Sequence, residues 1–344
     1  MKKRIRYIVI LVIAHLLPLG FFMAGRFVAD RYLPNFTASK VVFVGPMTSM
    51  SEVLDSLSVV AKRRGSLTRA AKSEDLECRI KPGRYVIEPD FTALYVVRML
   101  CNGWQTPGNL VLSGSLRSTA KIADVVSRQM MVDSVVIDSL LRDERFLAQY
   151  GVTPQMVYTL ILPDTYQMYW TASPQDIFDR FKKEYDRFWT PERDRAAGQL
   201  GLTRDEVCTL ASIVNGETRQ KSEYPIIAGV YLNRLHKGMK LQADPTVAYC
   251  FDYKPNRILK AHLAVDSPYN TYKYAGLPPG PINVPPKACI DAVLHPSEHN
   301  YLYFCASAAF DGTHNFAASY GEHLRNARAF QRELTRRQRE ASAS

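Results

Sequence analysis

The chain has 344 residues, 47% of them hydrophobic and 11% aromatic, without a low-complexity tract. That is enough for two or three domains with proper cores, and it excludes a disordered or fibrous protein. A formal charge of +11 favours an anionic partner, which leaves nucleic acid, lipid headgroups, an acidic polymer or a merely solvated basic surface.

The first predicted element narrows this choice. MKKRIR is followed by an uncharged apolar run of 18 residues, from Tyr7 to Ala24. As a helix that run reaches about 27 Å, roughly one hydrocarbon core, so residues 7–28 read as a transmembrane anchor. Lys2, Lys3, Arg4 and Arg6 precede it, whereas Arg26, Asp30 and Arg31 follow. The positive-inside bias then leaves residues 1–6 in the cytoplasm and the rest outside the cell (inner) membrane, in the periplasm. FVA at Phe27 to Ala29 also suits a cleavage site, but the apolar run is longer than that of an ordinary signal peptide. An exported region takes nucleic acid off the list of partners.

After a linker at Pro34 to Ser39, one pattern occurs three times. VVFVGPMTSMSEVLDSL, RYVIEPDFTALYVVRML and NLVLSGSLRSTAKIADVV each read as an apolar strand, a polar turn and an amphipathic helix. Residues 38–130 are therefore expected to form a small β–α module, suited to binding or to spacing. From Asp133 to Leu202 the pattern is mainly helical, with LPDTYQMYW interrupting it. Ile177, Phe178, Phe181, Tyr185 and Phe188 make a helical stripe of the kind that packs a core. The tail, RNARAFQRELTRRQRE, reads as a solvated basic helix. The expected fold class is α+β: a transmembrane helix, the β–α module, and a mixed helical and β domain over residues 131–340.

Six cysteines, at 78, 101, 208, 250, 289 and 305, show no CxxC spacing, which speaks against a metal held by thiolates. Cys78 and Cys101 are candidates for a disulfide within one small unit, and Cys208 reads as a buried free thiol.

Candidate chemistry begins in LTRDEVCTLASIVNGETRQ. Thr203 and Glu206 have capping-box spacing, and Val207, Leu210, Ala211 and Val214 form the apolar stripe of a helix. Glu217 continues along the edge of that stripe. A carboxyl half-buried against apolar neighbours has a raised pKa, as a general acid near neutral pH requires. The alternative is that Glu217 pairs with Arg219 or Arg234 at a helix end. Asn215 is predicted to point about 200° away from Glu217 on the helix.

In GVYLNRLHKGMKLQADPTVAY, Asp244 and Pro245 read as the N-cap and first residue of a short helix, and Gln242 before them has no visible structural duty. SPYNTYKYAGLPPGPINVPPKA, from Ser267 to Ala288, is a long proline-rich loop carrying Tyr269, Asn270, Tyr272 and Tyr274. Long ordered loops tend to be functional, and aromatic faces beside amides suit a sugar; packing of the tyrosines is the alternative. HPSEH at His295 to His299 matches a zinc-hydrolase pattern, which needs both histidines on one helical face. Pro296 and the strand-like NYLYF oppose that, so neither a metal nor another cofactor is expected.

LASIVNGET, AGVYLNRLHKGMKLQADPTVAY, SPYNTYKYAGLPPGPIN, YLYFCA and GTHNF occur in this order, with KPGRYVIEPDFT and LPDTY upstream. Together they resemble the endolytic murein transglycosylase, or YceG-like, family over nearly the whole region after the anchor. The resemblance implies a membrane-anchored lytic enzyme that cuts peptidoglycan strands internally between MurNAc and GlcNAc and leaves 1,6-anhydro-muramoyl ends. It also implies a lysin-motif-like glycan-binding module at 38–130 and a transglycosylase domain at 131–340. Its partners would be glycan strands, the membrane and peptidoglycan synthases.

Glu217 occupies the position of the family's catalytic glutamate. Gln242, Asp244, Tyr269, Asn270 and Tyr272 are expected to hold the sugar. One carboxyl suffices for such a reaction, because the sugar's own C6 hydroxyl attacks the anomeric carbon and no water need be activated. Asn215 replaces the first acid of the family's run, Tyr158-Thr159 an E-G pair, and Ser113 to Ser118 a second such stretch. These departures keep a rival reading open, a peptidoglycan-binding division scaffold whose active site has decayed.

Overall fold

The apolar run lies within one helix, α1 (Lys2–Tyr32). In the computed structural model, which describes residues 2–343, Ile8, Leu11, Leu17 and Phe21 stand exposed along it. It is the one helix among the described residues long and apolar enough to cross a membrane. Its end is tied down: the buried Asp30 carboxylate accepts from two nitrogens of the Arg69 guanidinium, at 2.8 and 2.6 Å. Such forked pairing fixes orientation as well as position.

The chain then divides into two units. The first extends to Leu110 and takes in residues 129–131 and 167–172. Here β1 (Lys40–Val44) leads into α2 (Met50–Ser58), followed by α3 (Arg64–Ser73) and α4 (Leu76–Arg79); β2 (Gly83–Ile87) leads into α5 (Ala93–Asn102). The first two strand–turn–helix repeats form as the pattern predicts. Their strands pair antiparallel, with Lys40 opposite Ile87 and Val44 opposite Gly83. Alternation turns Val42, Val44, Tyr85 and Ile87 inward against Val53, Leu57, Leu67 and Leu100. Ser49 and Thr92 cap the two helices through their hydroxyls. All six cysteines are free thiols. Cys101 is buried at the end of α5 whereas Cys78 is exposed on α4, so the expected pair is not joined.

The third repeat, β3 (Gly108–Val111) and α6 (Thr119–Ser127), leads into the second unit. There follow α7 (Ser134–Leu140), α8 (Glu144–Ala148), α9 (Val157–Leu160), β4 (Thr165–Met168), α10 (Pro174–Phe188) and α11 (Pro191–Gln199). Next come α12 (Arg204–Glu217), α13 (Tyr224–His236), α14 (Asp244–Cys250), α15 (Lys287–Leu294), β5 (Tyr303–Ala306), β6 (His314–Ala317) and α16 (Tyr320–Ala343). The stripe on α10 is buried at Ile177, Phe178, Phe181 and Phe188. The main core joins α12, α13 and α15 through Leu210, Ala211, Val214, Ile227, Tyr231, Ile290 and Val293. Gly229 permits the close approach of α13 to the HPSEH segment, since a Cβ there would lie 2.7 Å from His299 Nε2.

Candidate active site

The capping box predicted for α12 is present, with Thr203 and Glu206 each satisfying the other's backbone N–H. At the far end the helix stops at Glu217, because Thr218 is fully extended, with φ −141 and ψ 154. The last turn therefore opens onto a groove instead of continuing into the core. Gly216 is required there: a Cβ would lie 2.6 Å from Pro245 Cβ, so the start of α14 crosses directly over the helix end.

Glu217 retains intermediate exposure at the groove surface. Protein packed around its carboxyl desolvates it and pushes the pKa up to about 7, aided by the nearby charge of Asp244 and opposed by a hydrogen bond from Tyr231 and the charge of Arg234. Tyr231 Oη donates to Glu217 Oε1 at 2.5 Å. Burial and the adjoining carboxylate hold the Tyr231 phenol far above its ordinary range, so it remains a donor. Arg234 does not pair with Glu217; its guanidinium donates to the carbonyls of Leu302 and Leu241 at 2.7 and 2.6 Å. Arg219 is exposed. Glu217 makes no ion pair among the described residues, and the helix-end pairing considered from sequence does not form.

Asp244 shares with Glu217, Gly216 and Pro245 a cavity of about 350 Å³. It is the first residue of α14, but the N-cap is Ala243 without a side-chain cap. Its carboxylate instead accepts from Tyr272 Oη at 2.6 Å. Gln242 adopts a left-handed φ of 50 and its N–H bonds the Thr271 carbonyl at 3.1 Å, while its side chain is exposed. That conformation is costly for a residue other than glycine, and it sets the direction in which α14 begins.

Asn270 is completely buried; it donates to the carbonyls of Leu263 and Val265 at 2.9 and 2.8 Å and accepts from the Tyr272 N–H at 3.0 Å. With its hydrogen-bonding groups so committed, Asn270 braces the loop, and the expectation that its amide faces a sugar is corrected. Tyr269 packs its ring 4.6 Å from that of Tyr249.

Asn215 also differs from expectation. It lines a second cavity, of about 600 Å³, together with Glu217 and Arg117, and donates to Asn283 Oδ1 at 2.8 Å. The far-side prediction assumed a continuing helix; where the helix ends, both flanks of its last turn meet the same groove. Asn283 in turn donates to the Ser212 carbonyl at 2.8 Å, and Ser212 Oγ accepts from the Ile282 N–H at 3.0 Å. These bonds seat the proline-rich loop on α12. The histidines of HPSEH do not share a helical face: α15 ends at Leu294, and His299 Nε2 bonds the Ile226 carbonyl at 2.9 Å.

The profile of the YceG-like family matches residues 42–329. A Bacillus subtilis protein named endolytic murein transglycosylase is 42% identical over 118 residues, 34% of this chain and 32% of that protein. A Streptococcus pneumoniae protein of the same name is 29% identical over 171 residues, 48% of this chain and 31% of its own length. The chain thus matches about a third of the length of these relatives. A crystal structure of a YceG-like protein from Listeria monocytogenes aligns with a TM-score of 0.57 at 27% identity, covering 83% of this chain and 98% of that one.

Proposed function

This chain belongs to the YceG-like family, and from that premise we propose that it is a membrane-anchored endolytic lytic transglycosylase acting on peptidoglycan. The observation that carries the reading is the Glu217 carboxyl: open to a groove, held by one phenol, and with a pKa of about 7. Such a group is both protonated and ionised in useful amounts at neutral pH, so it serves as acid and then as base. Protonated Glu217 gives its proton to the oxygen joining MurNAc to GlcNAc, and the bond to the anomeric carbon breaks. The resulting carboxylate accepts the proton of the C6 hydroxyl as that oxygen closes on the anomeric carbon.

Tyr231 fixes the orientation of Glu217 throughout. Asp244, whose oxygen is held by Tyr272, places a second negative charge beside the positive charge that develops on the sugar ring. Gln242, exposed two residues before Asp244, and Tyr269 are assigned to hold the sugar, and Asn270 keeps Tyr272 in place.

We assign residues 7–28 to a single-pass anchor with the N-terminus cytoplasmic, residues 38–130 to a lysin-motif-like glycan-binding module, and residues 131–340 to the catalytic domain. The α1 helix fits the anchor by length and composition. Exposed Tyr95 and Trp104, with ring centroids 5.9 Å apart, offer the module faces on which sugars stack. An enzyme so tethered meets strands close to the synthases that make them.

The test is digestion of purified sacculi by the full-length protein in detergent and by Glu217→Gln, with mass spectrometry of the products. The wild type should release 1,6-anhydro-muramoyl ends and Glu217→Gln should not. Equal product from both would remove Glu217 from the mechanism, and no product from either would favour the scaffold.

A further inference from the structure

A third cavity, of about 690 Å³, adjoins the groove through Arg117, which lines all three. Its walls include Ser115, Ser118, Lys121, Arg142 and Tyr158. The SGSLRS stretch and Tyr158 meet here. The charges are unequal. Lys121 is paired with Asp124 at 3.0 Å and Arg142 with Asp138 at 3.0 Å, while Asp252, the acidic residue of the lining, lies 3.2 Å from Lys254.

Arg117 makes no ion pair among the described residues. Its guanidinium lies over the Tyr253 ring, 4.7 Å from the centroid, and Tyr253 is itself held by donating to the Ile282 carbonyl at 2.5 Å. An exposed, forked cation laid over a ring and without a counter-ion is suited to a carboxylate, which it binds through two parallel hydrogen bonds. The N-terminus of α6, whose cap Ser118 accepts from the Lys121 N–H at 3.1 Å, adds positive potential to the same wall.

We propose that this cavity, centred on Arg117, binds a carboxylate on the lactyl branch of a muramoyl residue flanking the cleaved bond. The inference rests on the peptidoglycan reading above. Two sources share the chemistry: the free carboxylates of a stem peptide, or the lactyl carboxylate itself when the peptide has been removed. In either case Arg117 selects the branch of the sugar while Glu217 acts on the bond.

Three defined glycan strands separate the possibilities: peptide-bearing, peptide-free, and peptide-free with the lactyl carboxyl converted to a methylamide. For the full-length wild type the methylamide strand should show a KM about tenfold higher than the better of the other two. Which of those two is better identifies the source of the carboxylate. Arg117→Gln should abolish the preference through KM, and Arg117→Lys should restore part of it. Equal KM values for all three strands with the wild type, or an undiminished preference in Arg117→Gln, would overturn the proposal.

Affinity for uncut fluorescent strands, compared between Glu217→Gln and the Glu217→Gln/Arg117→Gln double variant, decides the matter without turnover. The double variant should bind carboxylate-bearing strands about tenfold more weakly, and equal affinity would count against the subsite. A wild type that cuts no strand would contradict the catalytic reading alone.

Discussion

The groove end of α12 and the buried turn leading into α13 each carry a glutamate, and they treat it in opposite ways. Glu223 is 6% exposed and is surrounded by donors: the Thr218 hydroxyl at 3.0 Å, the His314 N–H at 2.6 Å and the His314 ring at 2.8 Å. Glu217 receives a single hydrogen bond from a phenol and has Asp244 as a negative neighbour. At Glu217, desolvation and the like charge of Asp244 oppose ionisation. The difference separates a residue that clamps β6 to the end of α12 from one that can hold and release a proton.

The comparison can be broken at either glutamate. The largest effect is expected at the groove: Glu217→Gln should lower turnover of sacculi by about 10³-fold and leave the fold intact by circular dichroism. Glu223→Ala should do the reverse in kind. It strands the Thr218 hydroxyl and both donors of His314, and stability should fall by about 3 kcal/mol, read from urea unfolding. A Glu223→Ala protein with unchanged stability would show that the clamp is idle.

Tyr231→Phe sharpens the contrast at lesser magnitude. The lost hydrogen bond is one that lowers the Glu217 pKa, so the fall of rate at high pH should move upward, by roughly half to one unit. Turnover should drop about tenfold. A pH profile that stayed in place would mean that Tyr231 does not set the acidity of Glu217.

The same contrast extends to stability and pH. Glu217 has a folded pKa of about 7 against an ordinary 4.5. The folded state therefore retains a proton that the unfolded chain has lost, and stability falls as pH rises from about 4.5 through 7. Glu217→Gln cannot ionise. It should melt at the parent's temperature near pH 4 and at a higher one at pH 8, by scanning calorimetry at both values. Parallel curves would contradict the raised pKa.

Much of this was legible in the sequence because it is local. The capping box of α12, the apolar stripes of α10 and α12 and the first two strand–helix repeats follow from neighbours a few positions apart. Glu217 at the edge of its stripe follows in the same way. Tyr231 was not legible: on the sequence it reads as one more core aromatic of α13, and only the packing of α13 on α12 points its hydroxyl at Glu217. Asn270 looked like a sugar ligand because it lies in a tyrosine-rich loop, but a loop of that length needs an internal brace. Arg117 lies about a hundred positions from Glu217 in the chain, and no periodicity connects the two. The left-handed turn at Gln242 is likewise a property of the tertiary structure, since no glycine marks it.

The central claim is that a single carboxyl suffices because the sugar supplies its own nucleophile. Asp244 in the same cavity makes the alternative concrete, since a second carboxyl could activate water. Digestion of glycan strands in H₂¹⁸O, followed by mass spectrometry of the new muramoyl ends, distinguishes the two chemistries directly. Anhydro ends free of ¹⁸O are expected, whereas reducing ends carrying one ¹⁸O atom would show that water attacks and that Glu217 does not act alone.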